Sequence, residues 1–353
     1  MFARYPGLAS KIPYVRLGTF PTPVEHASEL GGALGIADLY IKHDDRSGDP
    51  YGGNKVRKLE LVLADAVAQG KDAVLTFGGV GSNHALATTI YARKLGLRTI
   101  LDLLPEPPSA HVRQNLLAEL GFGAELHLTS PQKIDELLRQ QANGTLPAGS
   151  PYVIAPGGSS LLGNVGFVNA AFELADQIAR AELPTPDVVY ITMGTSGSAV
   201  GLAIGLKAAG LKTEVRGVRA SSTKYVSAAV ARAMAEATVA LLRDADPTFP
   251  NALPELTELR IVHSQVGKGY AMPTPQGEKA RALAQRLAGL ELDLTYTAKT
   301  FAALVADAPS LRGRVVLYWH TYDGRPLDVS QVRPEDLPKD LRSYARGKTT
   351  AKP

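Results

Sequence analysis

Residues 73–103 read AVLTFGGVGSNHALATTIYARKLGLRTILDL. An apolar run, Ala73–Thr76, enters a glycine-rich turn. A helical pattern follows over Asn83–Leu95, and a second apolar run occupies Arg98–Leu103. Ser82 is placed as the helix N-cap and Gly96 as its C-cap. Strand, glycine turn, helix and strand in this order predict a unit of a mostly parallel sheet covered by helices.

The same alternation extends in both directions. Further strands are expected at Asp38–Lys42, Glu125–Leu128, Tyr152–Ile154, Val188–Ile191, Glu214–Arg219, Leu259–His263 and Arg314–Trp319. Further helices are expected at Lys55–Gln69, Ser109–Leu120 (closed by Gly121), Gly163–Glu182, Ser198–Ala209, Thr223–Arg243, Gln276–Leu290 and Ala298–Asp307. A chain of 353 residues exceeds what one hydrophobic core usually serves. The units within 60–165 predict a small α/β domain inserted in a larger one, formed by residues 1–59 and 166–353. The fold class is therefore α/β, with two open, mostly parallel twisted sheets covered by helices. Ligands of such sheets bind beyond the carboxyl ends of the strands, so the loops there hold the chemistry.

Composition narrows the classes. The chain is 45% hydrophobic and 20% charged, as globular proteins are, and it contains no cysteine. A disulfide framework, a thiolate metal site and a cysteine nucleophile are excluded, and a reducing compartment suits the chain. No window approaches the ~18 consecutive apolar residues of a membrane span, and the first residues lack a signal-peptide core. A soluble cytoplasmic protein without membrane partners is expected. The net charge of +4 is spread along the chain. Its basic tail, residues 342–353, is read as fraying in solvent rather than binding nucleic acid.

Three loops carry candidate chemistry. In Gly52-Gly53-Asn54-Lys55-Val56-Arg57-Lys58-Leu59-Glu60, two glycines allow a tight turn and close approach of a ligand to the backbone. A lysine then opens a helix. The positive end of the helix dipole disfavours a second positive charge there, and with burial this yields the neutral amine that Schiff-base chemistry needs. Solvated basic residues on an exposed helix are the plain alternative. The second loop, Phe77–His84, presents backbone N–H groups at a helix start, suited to a carboxylate or phosphate. It also begins a dinucleotide fingerprint with Gly79-Val80-Gly81 and Asp102. His84 stands at the third glycine position, so that reading is the weaker one. In the third, Met193–Gly201, Gly194, Thr195, Ser196, Gly197 and Ser198 form a cup for one phosphate and lack a P-loop lysine.

A helix-start lysine, an anion loop and a monophosphate cup point together to one cofactor. Together with Leu17–Pro23, Lys42–Asp45, Gly157–Ser159, Gly267–Tyr270, Asp293–Lys299 and His320-Thr321, these segments resemble the 1-aminocyclopropane-1-carboxylate deaminase/D-cysteine desulfhydrase family. That family lies among the tryptophan-synthase-β-like, fold-type II pyridoxal-phosphate enzymes. The resemblance implies that Lys55 carries pyridoxal phosphate as a Schiff base, and that Asn54, Lys58 and the 194–198 cup hold it. It further implies that Asn83 meets the cofactor ring oxygen and that Ser82 faces the substrate carboxylate or reacting carbon. His84, Ser159, Tyr270 and Tyr296 would lie on the substrate side, and a homodimer acting on a small amino acid is expected. Buried tyrosines with satisfied hydroxyls are the plain alternative for Tyr270 and Tyr296.

The chain departs from the family pattern at Gly81 (usually Gln), Ala85-Leu86-Ala87, His43 (usually Arg), Ala298 and Tyr322-Asp323. Thr297 stands where the ring-opening deaminases have Glu, and Thr321 is a second hydroxyl candidate for the ring nitrogen. A neutral partner there weakens the electron sink and fits β-elimination to a keto acid and ammonia. Ring opening of 1-aminocyclopropane-1-carboxylate, β-replacement and racemisation are the alternatives within this cofactor class. A non-catalytic cofactor carrier or a dinucleotide enzyme lies further off.

Overall fold

The computed structural model describes residues 1–255 and 257–345. Among them the strands are β1 (Val24–His26), β2 (Leu39–His43), β3 (Ala73–Gly79), β4 (Arg98–Leu104), β5 (Glu125–Leu128), β6 (Tyr152–Ile154), β7 (Val188–Met193), β8 (Glu214–Arg219), β9 (Leu259–Val262) and β10 (Val316–His320). They form a sheet of order β1-β2-β10-β7-β8-β9 and a second of order β5-β4-β3-β6. Every pairing is parallel except that of β1 with β2.

Every residue of the central strands β7 and β10 is buried, as strands covered by helices on both faces must be. Their side chains alternate between two cores. Val189, Ile191, Met193, Leu317 and Trp319 join the helices Leu161–Ala179, Gly197–Ala208 and Ala228–Ala245. Val188, Tyr190, Val316 and Tyr318 join the helices Pro275–Ala288 and Thr297–Asp307. In the smaller sheet, Leu101 and Leu103 pack with Val112, Leu116 and Leu117, while Phe77 and Val153 pack with Ile134.

Chain contacts define two units, Met1–Leu61 with Ser159–Gly324, and Val62–Gly158 with the segment from Arg325 onward. The expected boundaries differ by a few residues, but the C-terminal segment differs in kind, since it was assigned to the larger domain. Leu337, Leu341 and Ala345 are buried in the core of the smaller sheet, and Arg113 Nη1 donates to Ala345 O at 2.6 Å. Burial of those three apolar side chains ties the segment there. Arg342–Ala345 form a short helix; the rest of the basic tail lies outside the described residues. No helix among the described residues is long and apolar enough to cross a membrane.

Caps set the helix ends. Ser82, Ser109, Ser160 and Ser227 each accept a backbone N–H three residues on. Two starts therefore fall at Leu161 and Ala228 rather than at Gly163 and Thr223. Gly96 takes the left-handed backbone expected of it (φ 75°), whereas Gly121 ends its helix and Gly123 turns left-handed instead (φ 88°). The helix Pro131–Ala142, not expected from the sequence, is capped by Ser130 and packs Ile134, Leu137 and Leu138 against Phe77 and Val153.

Candidate active site

In the larger unit, the Gly52–Lys58 segment is pinned before its helix begins. Gly52 N–H donates to Asp323 Oδ2 at 2.7 Å, Gly53 N–H to Asp44 O at 2.7 Å, and Asn54 N–H to Thr321 O at 3.1 Å. Gly53 is left-handed (φ 90°), and a Cβ there would come within 2.9 Å of Thr321 O, so glycine is required. One turn on, the buried Arg57 guanidinium pairs with Asp44 at 2.8 Å and with Glu173 at 2.9 Å, locking the helix start in place. Lys55 opens the helix Lys55–Ala68 and donates through Nζ to Asn54 Oδ1 at 2.8 Å. Burial brings its amine down to about 8, and the charge of Asp293 opposes the shift. A substantial neutral fraction at physiological pH is what a nucleophilic amine requires.

The glycine-serine loop lies beside Lys58. Lys58 Nζ donates to Ser159 Oγ at 2.8 Å, and Ser159 Oγ is 2.7 Å from Thr195 Oγ1. Asn54 Nδ2 donates to Ser198 Oγ at 3.1 Å, which leaves the Ser198 proton for another acceptor. A Cβ on Gly197 would strike Asn164 Oδ1 at 2.3 Å, Ser159 Oγ at 2.6 Å and Lys58 Nζ at 3.0 Å. Burial first, and the neighbouring Lys55 second, hold the Lys58 amine well below its ordinary value. A buried amine, hydroxyl donors and a helix N-terminus (Gly197–Ala208) fit a phosphate dianion, which would restore the charge on Lys58. Ser159, expected on the substrate side, bridges Lys58 and Thr195 within this cup. Ser196 departs differently: its Oγ donates to Tyr225 O at 2.7 Å, and its backbone takes φ 65°.

The tyrosines meet in the same unit. Tyr270 Oη and Tyr296 Oη are 2.7 Å apart, and a Cβ on Gly194 would lie 3.1 Å from the Tyr296 ring. Asp293 holds the turn that presents Tyr296. Its Oδ2 accepts from Thr295 N–H (3.1 Å) and Tyr296 N–H (2.8 Å), and its Oδ1 from Thr297 N–H (3.0 Å) and Thr297 Oγ1 (2.7 Å). Buried Lys299 donates to Val266 O and Gly269 O, both at 3.0 Å, and so holds the loop that carries Tyr270. Of the two threonines expected near a cofactor ring, Thr297 spends its hydroxyl proton on Asp293. Thr321 is buried.

In the smaller unit, Ser82 Oγ caps the helix Asn83–Lys94 by accepting Ala85 N–H at 3.2 Å. Gly78 makes room for it, since a Cβ there would meet Ser82 Oγ at 2.4 Å. Asn115 Nδ2 donates to Gly81 O (3.0 Å) and Asn83 Oδ1 (3.3 Å), leaving the Asn83 amide nitrogen to donate elsewhere. His84, expected on the substrate side, meets the sheet through one ring nitrogen. It is buried, and its Nε2 sits 2.9 Å from Thr76 Oγ1, whose own proton goes to Ile154 O. That imidazole serves the sheet.

Asp293, Lys299 and Asn115 are the organising residues that a reading by loop motifs misses. The signal for the first two was the spacing Asp293-x-x-Tyr296-Thr297-x-Lys299, an acidic residue in front of a helix start. Asn115 sits inside a helical pattern with nothing local to mark it.

A doubly covered parallel α/β fold, with a lysine amine brought down to about 8 at a helix start and a loop that fits one phosphate, suits an enzyme class that holds a carbonyl cofactor on an amine. The chain matches the family described as pyridoxal-phosphate dependent enzyme over residues 15–321, and it belongs to that family. A D-cysteine desulfhydrase of Serratia proteamaculans is 33% identical over 327 residues, covering 88% of this chain and 94% of that protein. A Pyrococcus abyssi protein provisionally named 1-aminocyclopropane-1-carboxylate deaminase is 31% identical over 329 residues, covering 91% and 94%. The crystal structure of an ACC deaminase homologue superposes with a TM-score of 0.76 at 29% identity, covering 92% of this chain and 95% of that one. The protein is a fold-type II pyridoxal-phosphate enzyme, as its sequence segments imply.

Proposed function

We propose that the protein is a lyase that eliminates the β-substituent of a small amino acid such as D-cysteine, which leaves as hydrogen sulfide, and that one water then converts the remainder to a keto acid and ammonia. The observation that carries this reading is the Lys55 amine, brought to about 8 beside Asn54 and within the field of Asp293. Pyridoxal phosphate, when bound, supplies an electron sink for charge developing at the substrate α-carbon. Lys55 would hold the cofactor through its Nζ, and the same amine in its neutral form would accept the substrate α-proton. Lys58, Ser159, Thr195 and Ser198 bind the phosphate, with the N–H groups at the start of the helix Gly197–Ala208. Asn83 and Ser82 serve the cofactor ring oxygen and the substrate carboxylate, and Tyr270 and Tyr296 line the substrate side. The names of the Serratia and Pyrococcus relatives support an amino-acid substrate.

Elimination is favoured over ring opening because neither ring-nitrogen candidate, Thr297 or Thr321, carries a charge. Asp293, the carboxylate bonded to Thr297, is already engaged by donors from its own turn. Ring opening of 1-aminocyclopropane-1-carboxylate is the second reading, favoured by the Pyrococcus relative and sharing every cofactor residue. Keto-acid and ammonia release from D-cysteine and from the cyclopropane amino acid, assayed on one preparation, separates them. Faster turnover of the cyclopropane substrate would overturn the elimination reading. We further propose a cytoplasmic homodimer. A chain without cysteine suits a reducing compartment.

A further inference from the structure

Gly81 immediately precedes Ser82 and Asn83, and the space its side chain would take is filled. A Cβ there would lie 2.4 Å from Glu106 Oε1 and 2.8 Å from Val112 Cγ2. The Glu106 carboxyl accepts the Gly81 N–H. The carbonyl of the same residue accepts from His111 Nε2 and from Asn115 Nδ2, each at 3.0 Å. Both polar groups of the Gly81 backbone are thus fixed by side chains from outside the loop, two of them on the helix Ala110–Gly121. Glu106 comes from the connection between β4 and that helix. Among the described residues its other oxygen, sealed from solvent, has no hydrogen-bond partner, so the carboxyl is held here at a desolvation cost with one backbone bond in return. A surface glutamate would turn out to water instead.

We propose that Glu106 is a positioning residue for the substrate-side loop, where it replaces the missing side chain of Gly81 and fixes the direction in which Ser82 and Asn83 are presented. This rests on the reading of Ser82 and Asn83 as the residues that meet cofactor and substrate. Asn115 reinforces the arrangement from below, since the same Nδ2 also donates to Asn83 Oδ1. The set defines a compact lever. Glu106 and His111 hold the Gly81 backbone, Asn115 holds both Gly81 and Asn83, and Ser82 lies between them. Glu106 touches no reacting atom in this account and acts only through the loop.

The test compares Glu106→Gln, which keeps a carbonyl acceptor of the same reach, with Glu106→Ala, which removes it, both as pyridoxal-phosphate holoenzymes. Backbone hydrogen exchange of the 81–83 segment is read first and needs no substrate. It should accelerate at least tenfold in the Ala variant and stay within threefold in the Gln variant. Steady-state kinetics with D-cysteine should show KM raised roughly tenfold by Ala, kcat changed less than threefold, and KM restored by Gln, with the cofactor absorption unchanged. Exchange at 81–83 that is the same in Glu106→Ala as in the wild type overturns the proposal, as does an equal loss of kcat in both variants. If the wild type itself does not turn over D-cysteine, the substrate reading has failed, and the exchange comparison alone decides the role of Glu106. Should the Ala variant not fold, Glu106→Met takes its place with the same expected outcomes.

Discussion

The Thr297 hydroxyl is 2.7 Å from Asp293 Oδ1, and the Asp293 N–H donates back to the same hydroxyl at 2.8 Å. One buried carboxylate therefore fixes Thr297, orients Tyr296 through its backbone, and is the group whose charge keeps the Lys55 amine from falling further. Asp293→Asn removes that charge and should move the Lys55 amine below about 8. In the cofactor-free protein, the pH midpoint for capture of pyridoxal phosphate should shift down accordingly. An unchanged or raised midpoint would contradict the electrostatic role.

The phosphate cup makes an asymmetric prediction for its hydroxyls. Thr195 is joined to Lys58 through Ser159, whereas Ser196 gives its proton to Tyr225 O. Thr195→Ala removes a hydrogen bond to a charged group worth roughly 1.5–3 kcal/mol, so cofactor affinity should fall by about tenfold or more. Ser196→Ala should cost stability and leave affinity within about threefold. Equilibrium dialysis of the two variants checks this, and equal losses of affinity would remove the distinction.

Lys58 gives a third expectation. Its buried amine is held well below the ordinary range in the cofactor-free chain, and a bound phosphate dianion would reverse that. Binding of inorganic phosphate should therefore take up protons near neutral pH, measurable as buffer-dependent heats in calorimetry. Lys58→Met should abolish the proton uptake. Buffer-independent heats in the wild type would argue against Lys58 as the phosphate partner.

Much of this is legible in the amino-acid sequence itself. Glycine-bounded apolar runs and serine caps located the sheets and most helices, because parallel strands and capped helices are written locally. The lysine, the Gly-Ser cup and the Ser82-Asn83 pair were readable for the same reason. What was not readable depends on contacts between distant segments. Leu337 and Leu341 look like tail residues until the helix Ala110–Gly121 covers them. His84 looks like a loop residue until Thr76 takes its ring, and Ser159 joins the cup only through Lys58 and Thr195.

Two acids of the smaller unit, half-buried Glu106 and buried Glu119, predict its response to pH. Burial raises Glu106 from 4.5 to about 7, against the Gly81 N–H, so the folded protein holds this proton more tightly than the unfolded chain does. The stability this contributes is full below the ordinary glutamate range and is lost as pH rises through about 7. The unfolding midpoint of the wild type should therefore fall relative to that of Glu106→Gln between pH 5 and pH 8. Parallel curves would contradict the shift. Both carboxyl oxygens of Glu119 are buried without a hydrogen-bond partner among the described residues, and burial followed by the charge of Glu106 holds its proton on far above the usual range. Glu119→Met should stabilise the fold at pH 8 by about 1–3 kcal/mol, seen as a higher denaturation midpoint.

The central claim is that Lys55 is the residue that carries pyridoxal phosphate. Borohydride reduction of the cofactor-loaded protein, followed by proteolysis and mass spectrometry, tests it directly. A single phosphopyridoxyl adduct is expected on the peptide containing Lys55, lost in Lys55→Ala while the protein still binds the cofactor through its phosphate. An adduct on Lys58 or any other lysine, or none at all in loaded wild-type protein, would contradict it.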